Sequence, residues 1–340
     1  DLCLIPHTVA AALRDAGWWL RQAFPWVKRC LSGGTWLYAR TQKGDMPMML
    51  KDLVRLRPET VQLWNGERWT QVLGFHSTTM AFSSMRSYLE IELRSGERIG
   101  CTGDHRWPLA DGRVVHTSYL KVGDVLKRAL LPEPDQPKTP EWLPDIEIGW
   151  FLGLYLAEGC RDDRIIHLAG HVNETSERLA RLTPIVTALD GSLRASTPSG
   201  NRQDINIAGQ AIHGIIRQYL YGDSSHNKCL TSKCWQRSNA FLRALLLGYL
   251  EGDGSWDEKN QFWSLGFCNN DNLTRDLRSL CARIEVDIRL KRGTATAVKD
   301  GPKFKTWRGR IRLGGPLATD AVKHAWTRLK PLNSDEIIAI

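Results

Sequence analysis

Two stretches decide the fold: Phe151-Leu-Gly-Leu-Tyr-Leu-Ala-Glu-Gly159 and Leu246-Leu-Gly-Tyr-Leu-Glu-Gly-Asp-Gly254. Each is apolar around most of its circumference, the pattern of a buried helix. Each carries small residues one turn apart, Gly153 with Ala157 and Gly248 with Gly252. Such a ridge lets two helices approach closely. Each then ends on an acid and a glycine, Glu158-Gly159 and Asp253-Gly254, where glycine suits a left-handed C-cap. Aligning the two acids gives an offset of 95, and Ile205-Asn-Ile-Ala-Gly209 returns as Ile311-Arg-Leu-Gly-Gly315 at 106. Between these anchors each unit predicts a strand (165–169; 262–267), a helix (174–189; 273–284), two strands (192–197 and 203–208; 287–297 and 305–313) and a closing helix (210–220; 317–329). Matched anchors and a shared element order predict an internal duplication.

If the anchor helices pack across a pseudo-twofold axis, Glu158 and Asp253 meet at one end. Two carboxylates there repel each other, and the helix dipoles add to the conflict. A divalent cation resolves it, and oxygen-only ligands suit Mg²⁺. Carboxylates holding a metal beside a phosphodiester can activate water and stabilise the leaving oxygen. The bland alternative is a pair of solvated helix-end acids.

The composition fits this reading. The chain has 340 residues, 42% of them apolar and 24% charged, which excludes a rod, collagen or wholesale disorder. Its net charge of +9 favours a polyanionic partner. The longest apolar run, 241–250, is broken by Arg243 and too short to span a bilayer, so no membrane association is expected, and a cytoplasmic location is. The eight cysteines are scattered and are expected to be reduced. Cys229, Cys234 and His226 offer half a zinc site without a second pair to complete it. The first residue is not Met, so a fragment of a longer protein is expected.

The paired nonapeptides resemble those of LAGLIDADG homing endonucleases. The second is close; the first has Leu156 at position six, where an acid is usual, and Glu158 in place of the commoner Asp. The resemblance spans 146–330. It implies a monomeric endonuclease that cuts double-stranded DNA at a long asymmetric target, with Glu158 and Asp253 as catalytic, Mg²⁺-binding acids and Gly153 and Gly248 packing the helices. It also implies that the strands of each unit line a saddle over DNA. Nine basic residues fall between 289 and 312, opposed only by Asp300: Arg289, Lys291, Arg292, Lys299, Lys303, Lys305, Arg308, Arg310 and Arg312. A hairpin with that bias can neutralise phosphates. Lys291 and Lys299 are both candidates to assist hydrolysis. A non-cleaving nucleic-acid-binding module is the alternative, to which the departure at Leu156 points.

Residues 30–130 read differently, as short apolar runs between turns at Asn65-Gly66, Ser95-Gly96 and Asp111-Gly112. Cys30-Leu-Ser-Gly-Gly-Thr35, Gly100-Cys-Thr-Gly-Asp-His105 and Tyr119-Leu-Lys-Val-Gly-Asp124 resemble the N-terminal blocks of an intein, the Hint-type protein-splicing domain. The resemblance implies that Cys30 attacks the carbonyl of Arg29 to form a thioester, with His105 supplying the proton and Thr102 supporting the strained amide. A buried Cys30 and a structural His105 are the alternative. Many inteins carry a LAGLIDADG endonuclease inserted in the splicing domain. The expected class is therefore α+β: an all-β Hint-like module plus a duplicated endonuclease domain with two β-saddles and paired central helices. The expected boundaries are a host fragment resembling a DNA methyltransferase (1–29), the splicing region (30–131), a proline-rich linker (132–145), the endonuclease (146–330) and a returning splicing-domain strand (331–340). The C-terminal His-Asn junction of an intein is absent from the sequence, so only N-terminal thioester chemistry is expected.

Overall fold

The computed structural model describes residues 31–75, 88–134, 145–296 and 301–312, and the backbone of 334–339. The readings placed on the host segment 1–29, on Cys30, on Lys299, on linker residues 135–144 and on the helix at 317–329 lie outside the described residues. The described residues all belong to the unit Leu31–Ile340.

The class is mixed α and β. The N-terminal part runs β1 (Trp36–Thr41), β2 (Gly44–Met49), α1 (Leu50–Leu56), β3 (Gln62–Trp64), β4 (Trp69–Gln71), β5 (Tyr88–Leu93), β6 (Arg98–Thr102), β7 (Arg106–Pro108), β8 (Val114–His116) and β9 (Val125–Lys127). The three glycine turns fall where the sequence puts them, each with positive φ, joining β3 to β4, β5 to β6 and β7 to β8. Two features correct the expectation of a self-contained all-β module. It includes the helix α1, and its first sheet, ordered β2-β1-β3-β4, keeps a small core of Ala39, Leu53 and Val61 on one face while the other joins a larger core. There Tyr38, Trp64 and Trp69 pack into the core of the C-terminal part, with the Tyr38 ring 6.1 Å from that of Trp235. The β5–β6 sheet has its own small core of Ile91, Leu93, Cys101, Leu109, Leu120 and Leu126.

The C-terminal part contains the repeat. Its first half is α2 (Asp145–Glu158), β10 (Gly159–Arg161), β11 (Ile165–Leu168), α3 (Val172–Thr187), β12 (Ser192–Ala195), β13 (Ile205–Ala208) and α4 (Gln210–Tyr219). A join follows: β14 (Leu220–Tyr221), β15 (Cys229–Leu230) and α5 (Ser232–Trp235). The second half is α6 (Asn239–Asp253), β16 (Gly254–Asp257), β17 (Phe262–Cys268), α7 (Asp271–Arg283), β18 (Ile288–Thr296) and β19 (Lys303–Ile311). The two sheets have the same antiparallel order, β10-β11-β13-β12 and β16-β17-β19-β18. The sequence reading missed β10 and β16, the short edge strands that follow each acid. Finally β20 (Ser334–Ala339) returns to the N-terminal part and pairs with both β5 and β9.

Helices α2 and α6 fill the core between the sheets, and glycine sets their separation. A Cβ on Gly153 would lie 2.0 Å from the carbonyl oxygen of Leu245 and 2.7 Å from the nitrogen of Tyr249. A Cβ on Gly248 would lie 2.1 Å from the carbonyl oxygen of Trp150 and 3.0 Å from the nitrogen of Leu154. Trp150 and Leu154 are the repeat equivalents of Leu245 and Tyr249, so the two contacts are related by a twofold exchange of the helices. The glycines after the acids correct the sequence reading. Gly254 is extended (φ −96°, ψ 160°), and neither it nor Gly159 has positive φ. They are needed for space: a Cβ would meet Leu250 O at 2.4 Å and Trp263 Cε3 at 2.8 Å at Gly254, and Tyr155 Cδ2 at 2.2 Å at Gly159.

Candidate functional site

The helix packing brings the C-terminal ends of α2 and α6 together. A Cβ on Gly252 would lie 3.0 Å from Cγ of Glu158, so Glu158 lies against the turn that carries Asp253. Burial pushes the Glu158 carboxyl above its ordinary range, and the Asp253 charge adds to this. Asp253 reaches solvent at its helix end, yet the packing around it strips enough hydration to push its carboxyl up to about 6. The Tyr249 hydroxyl and the Lys228 ammonium pull Asp253 the other way.

Lys228 is the residue the sequence reading missed. It sits in the join between the halves, in a polar stretch with no periodicity, and nothing in its neighbours marks it. It is 3% exposed. Its Nζ donates to the carbonyl oxygens of Tyr155 (3.1 Å) and Leu156 (3.3 Å) in the last turn of α2 and of Gly159, the first residue of β10. A cation there answers the negative end of the helix dipole. Burial lowers its pKa, opposed by Asp253, Cys160 and Glu158. Lys291, a candidate for assisting hydrolysis, is directed elsewhere, 3.7 Å from Glu92 of the N-terminal part.

The departure at Leu156 takes on a structural meaning. Its equivalent, Glu251, accepts a hydrogen bond from Trp150 Nε1 at 2.6 Å and lies 3.9 Å from Arg181, within the flank of the helix pair. Position six thus stabilises packing, and Leu156, itself buried, removes no acid from the Glu158–Asp253 end.

Register sorts the basic residues by face, because directly opposed residues of antiparallel strands share a face and successive residues alternate. Arg289 opposes Arg310, and Lys291 opposes Arg308. These four share the outer face with Ser264 and Gly266, while Leu265, Trp307 and Ile311 face the core. Arg292 lies on the opposite face, paired with Asp271 at 2.6 Å. Lys303 and Lys305 fall on that same inward parity near the hairpin tip, and Arg312 follows the end of β19, its amide bonded to Asp287. Of the nine cations in the sequence pattern, eight are among the described residues, and the fold lines up four of these. Like charges directly opposite one another cost stability, which an anion laid across the sheet would recover. The first half presents Cys160, His167, Asn206 and Arg194 as the corresponding row, with His167 Nδ1 2.7 Å from Asn206 Oδ1. These polar residues were also missed, since they are spread over four strands.

In the N-terminal part, Thr102 is buried at the end of β6, and its carbonyl accepts the amide of His105 at 3.1 Å. The His105 ring lies 5.0 Å from that of Trp107. Leu31 forms a bridge with Cys101, and the Ser32 amide donates to Gly100 at 2.7 Å. Cys234, one of the two cysteines of the half zinc site, donates its thiol to the Tyr219 carbonyl at 3.1 Å.

The donor set defines which metal the site suits. Among the described residues no cluster of three His, Cys, Asp or Glu side chains could enclose an ion. Glu158 and Asp253 offer oxygen donors only, a set that fits a hard divalent cation completing its shell with water. Among the described residues no helix is long and apolar enough to cross a membrane.

No family model matches the sequence, and no curated protein matches it significantly. Solved structures resemble parts of it. Mesophilic variants of the homing endonuclease I-DmoI superpose with a TM-score of 0.37 at 8% identity, over 54% of this chain and 95% of that one. I-DmoI in complex with DNA and Ca gives 0.36 at 9% identity, over 53% and 98%. Full-length WhiA from Thermatoga maritima gives 0.35 at 14% identity, over 57% of this chain and 58% of that one.

Proposed function

We propose that the chain is a divalent-metal-dependent, site-specific endonuclease of double-stranded DNA. The observation that carries the reading is the meeting of Glu158 and Asp253 at the twofold-related ends of glycine-packed helices. Two sheets flank that meeting point, one of them lined with paired cations. Glu158 and Asp253 would hold Mg²⁺, which would supply Lewis-acid activation of water and charge stabilisation at the leaving oxygen. Arg308 and Arg310 take phosphates, with Arg289 and Lys291 beside them paired to Asp287 and Glu92, and the His167, Asn206 and Arg194 row reads the other half of an asymmetric target. Lys228 holds positive charge at the acid pair, where negative charge grows as the phosphodiester is attacked. One chain supplies both halves, so the protein works as a monomer.

The test is to incubate the full chain and Mg²⁺ with a randomised duplex library and sequence the ends. Defined cuts that vanish in Glu158→Gln and Asp253→Asn, while DNA binding remains, support the reading. Binding without cutting by the wild type would establish the non-cleaving alternative instead.

A second activity is proposed for the N-terminal part, supported by β20 returning between β5 and β9 and by Leu31 pairing beside Thr102. In an intein-like organisation the sulfur of Cys30 attacks the carbonyl carbon of Arg29. The C–N bond breaks, and His105 gives the proton to the departing amine. Cleavage after Arg29 by added thiol, lost in Cys30→Ala, tests it; persistence in that variant sinks it.

A further inference from the structure

The loop carrying Lys228 joins the halves, but the second half fixes it from outside. Asn270, 1% exposed, donates from Nδ2 to the carbonyl oxygens of Ser225 (3.0 Å) and Lys228 (2.9 Å). Its Oδ1 accepts the amide of Leu273 at 3.0 Å, capping α7. The Cys268 thiol donates to the same Ser225 carbonyl at 2.8 Å. Just beyond, Asp276 of α7 accepts the amide of Leu230 at 2.7 Å.

Capping alone needs a single acceptor, which serine supplies as well as asparagine. The amide donors of Asn270 exceed that need, and both are spent on the lysine loop. Lys228 is thereby fixed at two ends: its own carbonyl by Asn270, its ammonium by the last carbonyls of α2. A buried ammonium has no water to fall back on, so a small shift of its backbone breaks bonds it cannot replace.

We infer that Asn270 is a positioning residue that sets Lys228 at the Glu158–Asp253 pair, so that the second half of the repeat completes the site of the first. The cleavage role of Lys228 rests on the function proposed above; the clamp itself does not.

Asn270→Ser and the near-isosteric Asn270→Asp both keep an acceptor for Leu273 and both remove the amide donors. In the full chain, either should lower the single-turnover cleavage rate at saturating DNA about tenfold or more, with the DNA Kd unchanged. Either should also speed acylation of Lys228 by an amine-reactive acetate ester, read by peptide mass spectrometry. Asn270→Ala, which loses the cap as well, should melt lower than both. Wild-type cleavage rates in the two capping variants, or unchanged Lys228 labelling, would overturn the inference. If the wild type itself cuts no DNA, the endonuclease reading falls and the labelling still decides the clamp.

Discussion

Replacing Gly248 by alanine tests the helix contact on which the acid pair depends. The new Cβ would sit 2.1 Å from Trp150 O, 2.9 Å from Trp150 C and 3.0 Å from Leu154 N, where ordinary contact begins at 3.4 Å. All three are main-chain atoms of α2 and cannot rotate away, so the helices must part by about 1 Å. Overpacking of a core costs about 1–3 kcal/mol, and an immovable neighbour puts this case near the top. Alanine returns about 1 kcal/mol of helix propensity, leaving a net loss of about 2 kcal/mol. Gly214 provides the control. It lies exposed in the middle of α4 with nothing within 4 Å of a built Cβ, so the same substitution should stabilise by about 0.5–1 kcal/mol. Urea unfolding with m-values compared between variants measures both. Gly153→Ala should copy Gly248→Ala, and the double variant should cost less than the sum, because both widen one gap. A Gly248→Ala midpoint that rises with that of Gly214→Ala would refute the backbone contact and, with it, the convergence of the acids.

Other outcomes follow from the site. The folded-state pKa of Asp253 is raised from 3.8 to about 6, so the metal-free folded state binds the extra proton and loses stability as pH rises through that window. Acidifying metal-free wild type from pH 7 to pH 5 should therefore raise its melting temperature relative to Asp253→Asn, and Mg²⁺ at pH 7.5 should stabilise only the wild type. Cleavage should fall below about pH 6, as protons compete with the metal. Arg308→Ala and Arg310→Ala should each reduce the slope of log K against log salt for DNA binding by about one; Lys303→Ala, on the opposite parity, should change it little. Glu251→Ala should cost about 1–3 kcal/mol in thermal unfolding by orphaning Trp150 Nε1, while the cleavage rate of the folded protein stays close to wild type.

The helix pair, its glycine ridge and the meeting of the acids were legible because they follow from short-range rules applied twice. Periodicity located the apolar faces, and repetition marked Glu158 and Asp253 as residues at matched helix ends. The glycine turns at 66, 96 and 112 were legible for the same local reason. What stayed hidden depends on distant partners. Lys228 acquires its meaning from three carbonyls about 70 residues earlier in the chain, and its own neighbours carry no trace of them. The face of each basic residue depends on a register set across β17, β19 and β18. The extended Gly159 and Gly254 show a correct residue with the wrong reason attached: the sequence shows a missing Cβ, but whether backbone angle or a neighbouring ring demands it is decided by packing.

Strand β20 occupies an interior position in its sheet, between β5 and β9. It leaves the ribosome some 200 residues after β9, on the order of ten to forty seconds later at ordinary elongation rates of about 5–20 residues per second. During that interval β5 and β9 each present an unzipped border, the kind of surface through which nascent chains adhere to one another. The repeat between them has time to assemble first. Premature termination anywhere in it would leave a half-built sheet that no later event can close.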